Sequence, residues 1–495
     1  MGGRGRLVTV AAVVALAGAV FTGAPANAEG QAGIDWKPCP DVEGVDCGAV
    51  TVPVDWAHPG RGTVKIALAR RKATDPAARI GSILMDPGGP GGSGVSKVRD
   101  ENWTLSPEIT KRFDTVGFDP RGIGDSTQIQ CGLDEVIADY PKVPKNQKEF
   151  EQLSEYNRKV GESCDRITGP LARLGDTRSV ARDMDAIRAA LGDKKLTYYG
   201  VSYGSLMGQQ YAELFPDRIR ALVLDSNLDH SITSPAEFLR SETEAVQESF
   251  TQFAAWCDRT PACALHGQDV PALLRGLQDR AERGELTDPS SEEPITPFDL
   301  AGIVHTRLTV PAWTSLATRL ANLRGGAATS QVARLDADIP VNTVSQSIFC
   351  ADWRFPVKNF AELESYRKSA AAAAPDVRMS VLGWASLTGC IGWPAKTTNP
   401  QHPLSINGAP PLLMLNGRYD PATPLAWAKT AARQSGTTLL TYDGWGHGAY
   451  FKNSECVVKA TDAYLISGKL PARGTHCAGV EPAATPPPGS GSISF

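Results

Sequence analysis

Apolar residues in the first half of the chain follow two alternating patterns. Short apolar runs predict paired early strands and then buried strands, each buried run ending in a glycine-rich or polar loop: 51–56, 63–73, 81–86, 113–119, 196–202 and 219–227. Apolar residues at helical spacing, from Val180 to Leu191, predict an amphipathic helix over 176–192, and another helix is predicted over 205–216. Strand–helix alternation of this kind indicates the α/β class, with a mostly parallel sheet covered by helices on both faces.

The pattern changes after Asp229 and returns near residue 405. The stretch between is mainly helical in pattern and lacks the alternation, with helices predicted at 236–257, 270–284 and 359–374. Buried-strand patterns resume at 410–420 and 438–444, and each is followed by a helical pattern, at 424–436 and 456–468. We therefore predict one α/β core, 29–229 and 405–479, interrupted by a helical cap at 230–404.

Both ends of the chain predict segments outside the fold. Residues 1–28 combine a basic start (Arg4, Arg6), an apolar run and a small-residue cleavage site at 26–28. That order is typical of a secretory signal peptide rather than a membrane anchor, so we expect a secreted, extracellular protein without stable membrane association. The stretch 480–495 is rich in Pro, Gly and Ser, which predicts a flexible tail.

The cysteines and the net charge narrow the possible cellular compartment and the possible binding partners. The ten cysteines form near-neighbour couples, and in an oxidising compartment we expect sequential disulfides: Cys39–Cys47, Cys131–Cys164, Cys257–Cys263, Cys350–Cys390 and Cys456–Cys477. The formal net charge is −4, without a basic run, so no nucleic-acid partner is expected. The chain contains neither C-x-x-C nor H-E-x-x-H, so no metal or organic cofactor is predicted. The oligomeric state stays open.

A glycine-rich loop follows the strand predicted at 81–86. Gly89 to Gly94 reads G-x-G-x-x-G, the pattern of a dinucleotide-binding fingerprint. That interpretation requires a helix starting within the fingerprint, in the first unit of the sheet. Here other strands precede the loop, Pro90 interrupts it, and no acid ends the next strand in a ribose-binding role. The alternative, favoured by these points, is a loop whose backbone amides face a developing negative charge.

The most specific motif is G-x-S-x-G at 200–204, between a predicted strand and a predicted helix. In that setting it predicts a nucleophile elbow with Ser202 as the nucleophile and the amide of Tyr203 as one oxyanion donor. A serine hydroxyl needs a base and an orienting acid, which in this architecture follow the serine along the chain in the order acid, histidine. Asp420 and His447 lie where that order requires. Asp225, at the end of an earlier strand, is the rival acid.

Six motifs together resemble one family: PGGPGGSG, GFDPRGIGDS, GVSYGS, LVLDSN, NGRYDPATP and GWGHG. In order and spacing they resemble the α/β-hydrolase exopeptidases of the prolyl-aminopeptidase type, and most closely the secreted tripeptidyl aminopeptidases of actinomycetes. The resemblance implies an α/β-hydrolase fold, the triad Ser202, Asp420 and His447, and oxyanion amides at Gly89 and Tyr203. It also implies that the chain releases short peptides, tripeptides in the closest relatives, from free N-termini without a cofactor. The DPRGIGDS segment would be a structural turn.

The chain departs from that family at two places, and alternatives remain. Prolyl aminopeptidases carry a histidine before G-G-P-G where this chain has Pro87, and their cap glutamates, which hold the substrate amine, have no recognisable counterpart. We take Asp352 as the candidate for that amine, with a surface or helix-capping role as the alternative. A secreted carboxylesterase or lipase acting on small esters stays open, as does a hydrolase-fold protein that only binds.

Overall fold

The computed structural model describes Gly2 and residues 33–40, 42–100, 104–325 and 343–482. Apart from Gly2, the predicted signal peptide lies outside the described residues, and so does the predicted tail from 483 onward. The described residues from Gly33 onward form one compact unit.

A single ten-stranded sheet forms the centre of the described residues. Its strands are β1 (Lys37–Pro38), β2 (Asp46–Pro53), β3 (Thr63–Arg71), β4 (Gly81–Asp86), β5 (Phe113–Phe118), β6 (Leu196–Val201), β7 (Ile219–Asp225), β8 (Leu413–Tyr419), β9 (Thr438–Trp445) and β10 (His476–Ala478). The strand order is β1-β2-β3-β5-β4-β6-β7-β8-β9-β10. The first three pairs are antiparallel, and every pair from β5–β4 to β9–β10 is parallel.

Side chains of the central strands are buried on both faces of this sheet. On β7, Leu222 and Leu224 belong to one apolar layer, whereas Ala221 and Val223 belong to the layer on the opposite face. This two-residue alternation, with both faces apolar, explains why the strands read as continuous apolar runs. The predicted α/β class with a mostly parallel sheet is confirmed.

Helices of the core cover these faces. Six precede β7 or separate the strands before it: α1 (Gly94–Arg99), α2 (Pro107–Thr110), α3 (Leu133–Val136), α4 (Gln147–Thr168), α5 (Thr177–Ala190) and α6 (Tyr203–Leu214). Helix α5 begins after Asp176, whose carboxylate accepts the Ser179 amide, and so has the N-cap that its sequence predicts.

The connection from β7 to β8 is helical where the structure describes it. Its helices are α7 (Pro235–Arg259), α8 (Val270–Glu282), α9 (Pro297–Thr309), α10 (Trp313–Gly325), α11 (Thr343–Asp352), α12 (Phe360–Ala373) and α13 (Val381–Gly389). An apolar cluster that includes Phe253, Trp256 and Trp313 gives this region a core of its own. We call the described part of 230–404 the cap. Two further helices, α14 (Leu425–Ser435) and α15 (Glu455–Ser467), belong to the second part of the core.

All five expected disulfides form, with the predicted sequential pairing. Cys350–Cys390 joins α11 to the end of α13 inside the cap, and Cys456–Cys477 joins α15 to β10. In the described ranges, no helix is both long enough and apolar enough to span a bilayer.

Candidate active site

Ser202 lies at the sharp turn between β6 and α6. Its φ of 58° and ψ of −124° are an uncommon conformation for a residue with a side chain, and such strain concentrates at functional sites. Its amide donates a hydrogen bond to the carbonyl of Asp225 at 2.9 Å, which fixes the turn to β7. A Cβ atom at Gly204 would lie 2.8 Å from the carbonyl oxygen of Asp86, so the turn requires a small residue there.

The glycine-rich loop after β4 packs directly on this turn. At Gly88, where φ is +89°, a Cβ atom would lie 2.6 Å from the Tyr203 amide nitrogen and closer still to the Val201 carbonyl oxygen. The amide of Gly88 donates to Asp86 Oδ1 at 2.7 Å. Close packing on the serine turn therefore explains why position 88 requires glycine, with no need for a bound nucleotide. The loop that contains Gly89 lies against Tyr203. Tyr203 is the first residue of α6, so its amide has no hydrogen-bond acceptor within that helix.

Asp420 and His447 follow the neighbouring parallel strands β8 and β9. The His447 Nδ1 atom lies 3.0 Å from Asp420 Oδ1 and 2.9 Å from Oδ2, and both side chains are buried. Asp420 Oδ1 also accepts the amides of Ala422 and Thr423, and Oδ2 accepts the Thr423 hydroxyl. Burial raises the pKa of Asp420, but the charge and hydrogen bond of His447 and the backbone amides outweigh it and hold the pKa below its usual value.

Three distant stretches of sequence thus meet at one edge of the sheet. Strands β6, β7, β8 and β9 are adjacent and parallel, so the residues that follow β6, β8 and β9 emerge at the same edge. Those residues are Ser202, Asp420 and His447.

The rival acid, Asp225, has other partners. Its carboxylate accepts the Tyr199 hydroxyl at 2.7 Å and the amides of Ala449 and Tyr450 at 2.9 and 3.0 Å. Asp225 therefore binds the backbone of the loop that follows His447, while Asp420 is the acid against the imidazole.

The cap covers this edge of the sheet. The His447 amide donates to the carbonyl of Thr309, at the end of α9, at 2.9 Å. From α11, the Ser345 hydroxyl donates to the carbonyl of Pro90 in the glycine-rich loop. The cap thus contacts both the histidine loop and the glycine-rich loop.

Asp352, the predicted amine-binding residue, lies at the end of α11 and is fully buried. One carboxylate oxygen accepts the amide and hydroxyl of Thr177 and the side-chain amide of Asn399, at 2.8–3.0 Å. The other accepts the Tyr203 hydroxyl at 2.7 Å. Burial, reinforced by the negative charge of Asp176, raises the pKa of Asp352 to about 7 against the lowering effect of these donors. The structure brings Asp352 to the side chain of Tyr203, and its role toward a substrate amine stays a prediction.

A second buried carboxyl group of the cap, Glu242 on α7, was missed by sequence reasoning. It is 1% exposed, and neither of its oxygens accepts a well-formed hydrogen bond from the described residues. Burial raises its pKa well above the usual range, the nearby Ser380 hydroxyl lowers it, and the negative charge of Asp420 raises it further. A glutamate among apolar helix positions in the cap was the available signal, since glutamate is rarely buried without a partner.

The chain is similar to named proteins over most of its length, and to a family model over its C-terminal part. Residues 375–477 match a family model described as TAP-like protein. Serine protease Hip1 of Mycobacterium tuberculosis is 33% identical over 481 residues, covering 90% of this chain and 91% of that protein. A tripeptidyl aminopeptidase of Streptomyces lividans is 30% identical over 92% of this chain and 88% of its own length.

A third relative carries a different name. Carboxylesterase B of Mycobacterium tuberculosis is 32% identical, covering 92% of this chain and 91% of that protein. With these relatives and the α/β sheet described above, the chain belongs to the TAP-like family of α/β-hydrolases, and it is a serine hydrolase.

Proposed function

We propose that this protein is a secreted serine peptidase that releases short peptides, tripeptides first among them, from the free N-terminus of polypeptides. The observation that carries the proposal is the buried His447–Asp420 pair at the sheet edge where the strained Ser202 turn emerges. The peptidase names of Hip1 and the Streptomyces relative support a peptide substrate, and the latter supports release of three residues. Five disulfides favour an oxidising, extracellular setting.

In the proposed reaction Ser202 Oγ attacks the scissile carbonyl carbon while His447 Nε2 takes its proton. Asp420, bonded to Nδ1, keeps the imidazole in the required tautomer and stabilises the imidazolium. The amides of Gly89 and Tyr203 donate to the oxyanion of the tetrahedral intermediate. His447 then protonates the leaving amine as the C–N bond breaks, and water, activated by the same histidine, hydrolyses the acyl-enzyme.

Selection of a free N-terminus requires a group that pairs with the substrate ammonium. A buried ammonium is costly unless it meets an opposite charge and hydrogen-bond acceptors. Glu242 offers two oxygens without partners among the described residues, within electrostatic reach of the triad acid. We assign the amine-binding role to Glu242 rather than to Asp352, whose oxygens already accept four hydrogen bonds.

A comparison of three substrates tests the proposal. Purified protein is given a tripeptide anilide, the same compound acetylated at its amine, and a short-chain nitrophenyl ester. We expect kcat/KM to fall at least about 100-fold on acetylation, since the lost charged pair is worth about 3 kcal/mol or more. Equal rates on the two anilides, or turnover of the ester alone, would contradict the peptidase assignment.

The role of Glu242 has a matched control on the same helix. Glu242→Gln should remove most of the preference for the free amine, and leave turnover of the ester within about threefold of wild type. Glu244 is a surface residue of α7 that pairs with Arg240, so Glu244→Gln should change neither. A Glu242→Gln enzyme that keeps the full preference would contradict this role.

Hydrolysis of small esters is the second candidate function. It is favoured by the carboxylesterase relative, whose identity and coverage are close to those of the peptidase relatives. A serine triad does not choose its leaving group, so the anilide-to-ester ratio in the same experiment separates the two candidates.

A further inference from the structure

Tyr203 links the serine turn to the cap through its side chain. It directly follows Ser202, is buried, and its amide is one of the two oxyanion donors in the proposed function. Its hydroxyl donates to Asp352 Oδ2 at 2.7 Å, and its ring packs near Phe349 on α11, with centroids 6.5 Å apart. Tyr203, whose backbone amide takes part in the proposed reaction, is thus held through its side chain by the last residue of α11.

Asp352 is itself held from several directions. Oδ1 accepts the Thr177 amide at 2.9 Å, the Thr177 hydroxyl at 3.0 Å and the Asn399 side-chain amide at 2.8 Å. Its backbone carbonyl accepts His230 Nε2 at 2.8 Å. Thr177 is the first residue of α5, so one carboxylate joins the start of α5, the start of α6 and the end of α11.

We propose that Asp352 is a positioning residue that acts through the Tyr203 hydroxyl to hold the serine turn and the Tyr203 amide in their reactive arrangement, without contacting substrate. Four donors at one buried carboxylate make it a rigid anchor, because moving any of them would break a buried hydrogen bond. Without the anchor, Tyr203 can rotate and its amide loses its aim at the oxyanion. A loss of that kind lowers turnover and leaves substrate binding nearly intact.

This inference rests on the proposed roles of Ser202 and Tyr203, and a double-mutant cycle tests it. Asp352→Asn, Tyr203→Phe and the double variant are measured on the free tripeptide anilide and on the nitrophenyl ester. We expect each single variant to lower kcat about tenfold on both substrates with KM within about twofold, since one charged hydrogen bond is removed. The double variant should be no slower than the slower single variant, because both changes remove the same interaction.

The control lies on the same helix. The Tyr211 hydroxyl of α6 donates to Asp185 at 3.1 Å, away from the serine turn, so Tyr211→Phe removes a tyrosine hydrogen bond without touching the site. Its kcat should stay within about twofold of wild type, with any effect confined to thermal stability. If Asp352→Asn does not fold, Tyr203→Phe against Tyr211→Phe still decides the question.

Several results would overturn the inference. A loss of kcat confined to the free-amine substrate would indicate an amine-binding role for Asp352 instead. A change in KM alone, additive losses in the double variant, or an unchanged kcat in Tyr203→Phe would also contradict the positioning role. The cycle is also run on the ester, so the two failures can be told apart. An enzyme that turns over only the ester would refute the proposed peptidase function, and the ester kinetics of the variants would still test the role of Asp352.

Discussion

Four buried carboxyl groups near the active site have very different surroundings. Asp420 faces an imidazole and two backbone amides, Asp225 binds backbone amides and a tyrosine hydroxyl, and Asp352 accepts four hydrogen bonds. Glu242 has no comparable donors among the described residues. Donors stabilise a carboxylate and burial destabilises it, so the pKa of Glu242 is raised well above its usual value. In the proposed function, its oxygens would be the charged acceptors for the substrate ammonium.

The raised pKa of Glu242 makes the free energy of unfolding depend on pH. Its pKa in the folded protein is raised above the 4.5 of an ordinary glutamate, so the folded state holds its proton more tightly than the unfolded state. The contribution of Glu242 to stability is therefore fully present below pH 4.5 and declines as pH rises toward the folded-state pKa. We expect Glu242→Gln to become progressively more stable relative to wild type as the pH rises above 4.5, by at most about 1.4 kcal/mol per pH unit.

Urea unfolding of the two proteins at a series of pH values measures this difference. Glu244→Gln, on the exposed side of the same helix, should show no such trend with pH. A Glu242→Gln protein whose stability tracks wild type at every pH would mean that Glu242 is not held neutral.

At residue scale, the sequence predicted the groups that follow a motif. Ser202, Asp420 and His447 could be predicted as a triad because each ends or closely follows a recognisable strand in the expected order. The role of Glu242 and the side-chain role of Tyr203 could not be predicted. The first depends on the lack of hydrogen-bond donors around a buried carboxyl group, and the second on Asp352, which is distant in sequence. Asp352 was selected for its charge beside aromatic residues, and only the structure shows how many donors surround it.

Among the elements, the loop between β4 and α1 does most to position the reacting groups. Its backbone lies against the serine turn so closely that Gly88 has no room for a side chain. The same loop carries the Gly89 amide and accepts a hydrogen bond from α11 through the Pro90 carbonyl. The serine turn, this loop and the cap are therefore joined by direct contacts.

Gly88→Ala tests this packing. The new methyl group would meet the backbone of Val201 and Tyr203 at a φ that favours glycine, so neither neighbour can yield cheaply. We expect a loss of about 3 kcal/mol in the free energy of unfolding and a kcat at least about 100-fold lower on anilide and ester alike.

Gly276→Ala is the control for that substitution. Gly276 lies within α8 with nothing near its Cβ position, so alanine there should stabilise the protein by about 0.5–1 kcal/mol without changing kcat. Denaturant unfolding and steady-state kinetics of both variants supply the comparison. Full activity in Gly88→Ala would contradict the close packing of loop and elbow.

Element prediction succeeded where one periodicity dominated, including most of the predicted helices, and missed several elements where none did. The buried strands β4 to β9 and helix α5 stand within a few residues of their predicted bounds. Helix α4, with 22 residues, was missed, because polar residues such as Asn157 and Ser163 occupy its buried face and blur the apolar pattern. The short edge strands β1 and β10 depend on pairing with a neighbour, which no local pattern records.

Taken as a whole molecule, the protein brings together residues that are far apart in sequence. Ser202 precedes the cap, and Asp420 and His447 follow it, so the site exists only when β8 and β9 add to the sheet beside β7. The return of the strand pattern after residue 405 was the sequence signal for this arrangement. What the sequence could not predict is how the cap helices sit on the edge, because that depends on contacts such as His447 to Thr309.

In the proposed function, this assembled edge makes Ser202 the nucleophile. The most direct measurement is mass-spectrometric mapping of the protein after reaction with a phosphonofluoridate, in which serine Oγ bonds to phosphorus, fluoride leaves and the hydroxyl proton passes to the base. We predict one phosphonyl group, on the peptide that contains Ser202, with no labelling in Ser202→Ala and labelling slowed by about three orders of magnitude or more in His447→Ala. A label on another serine, or labelling that His447→Ala does not slow, would contradict the account.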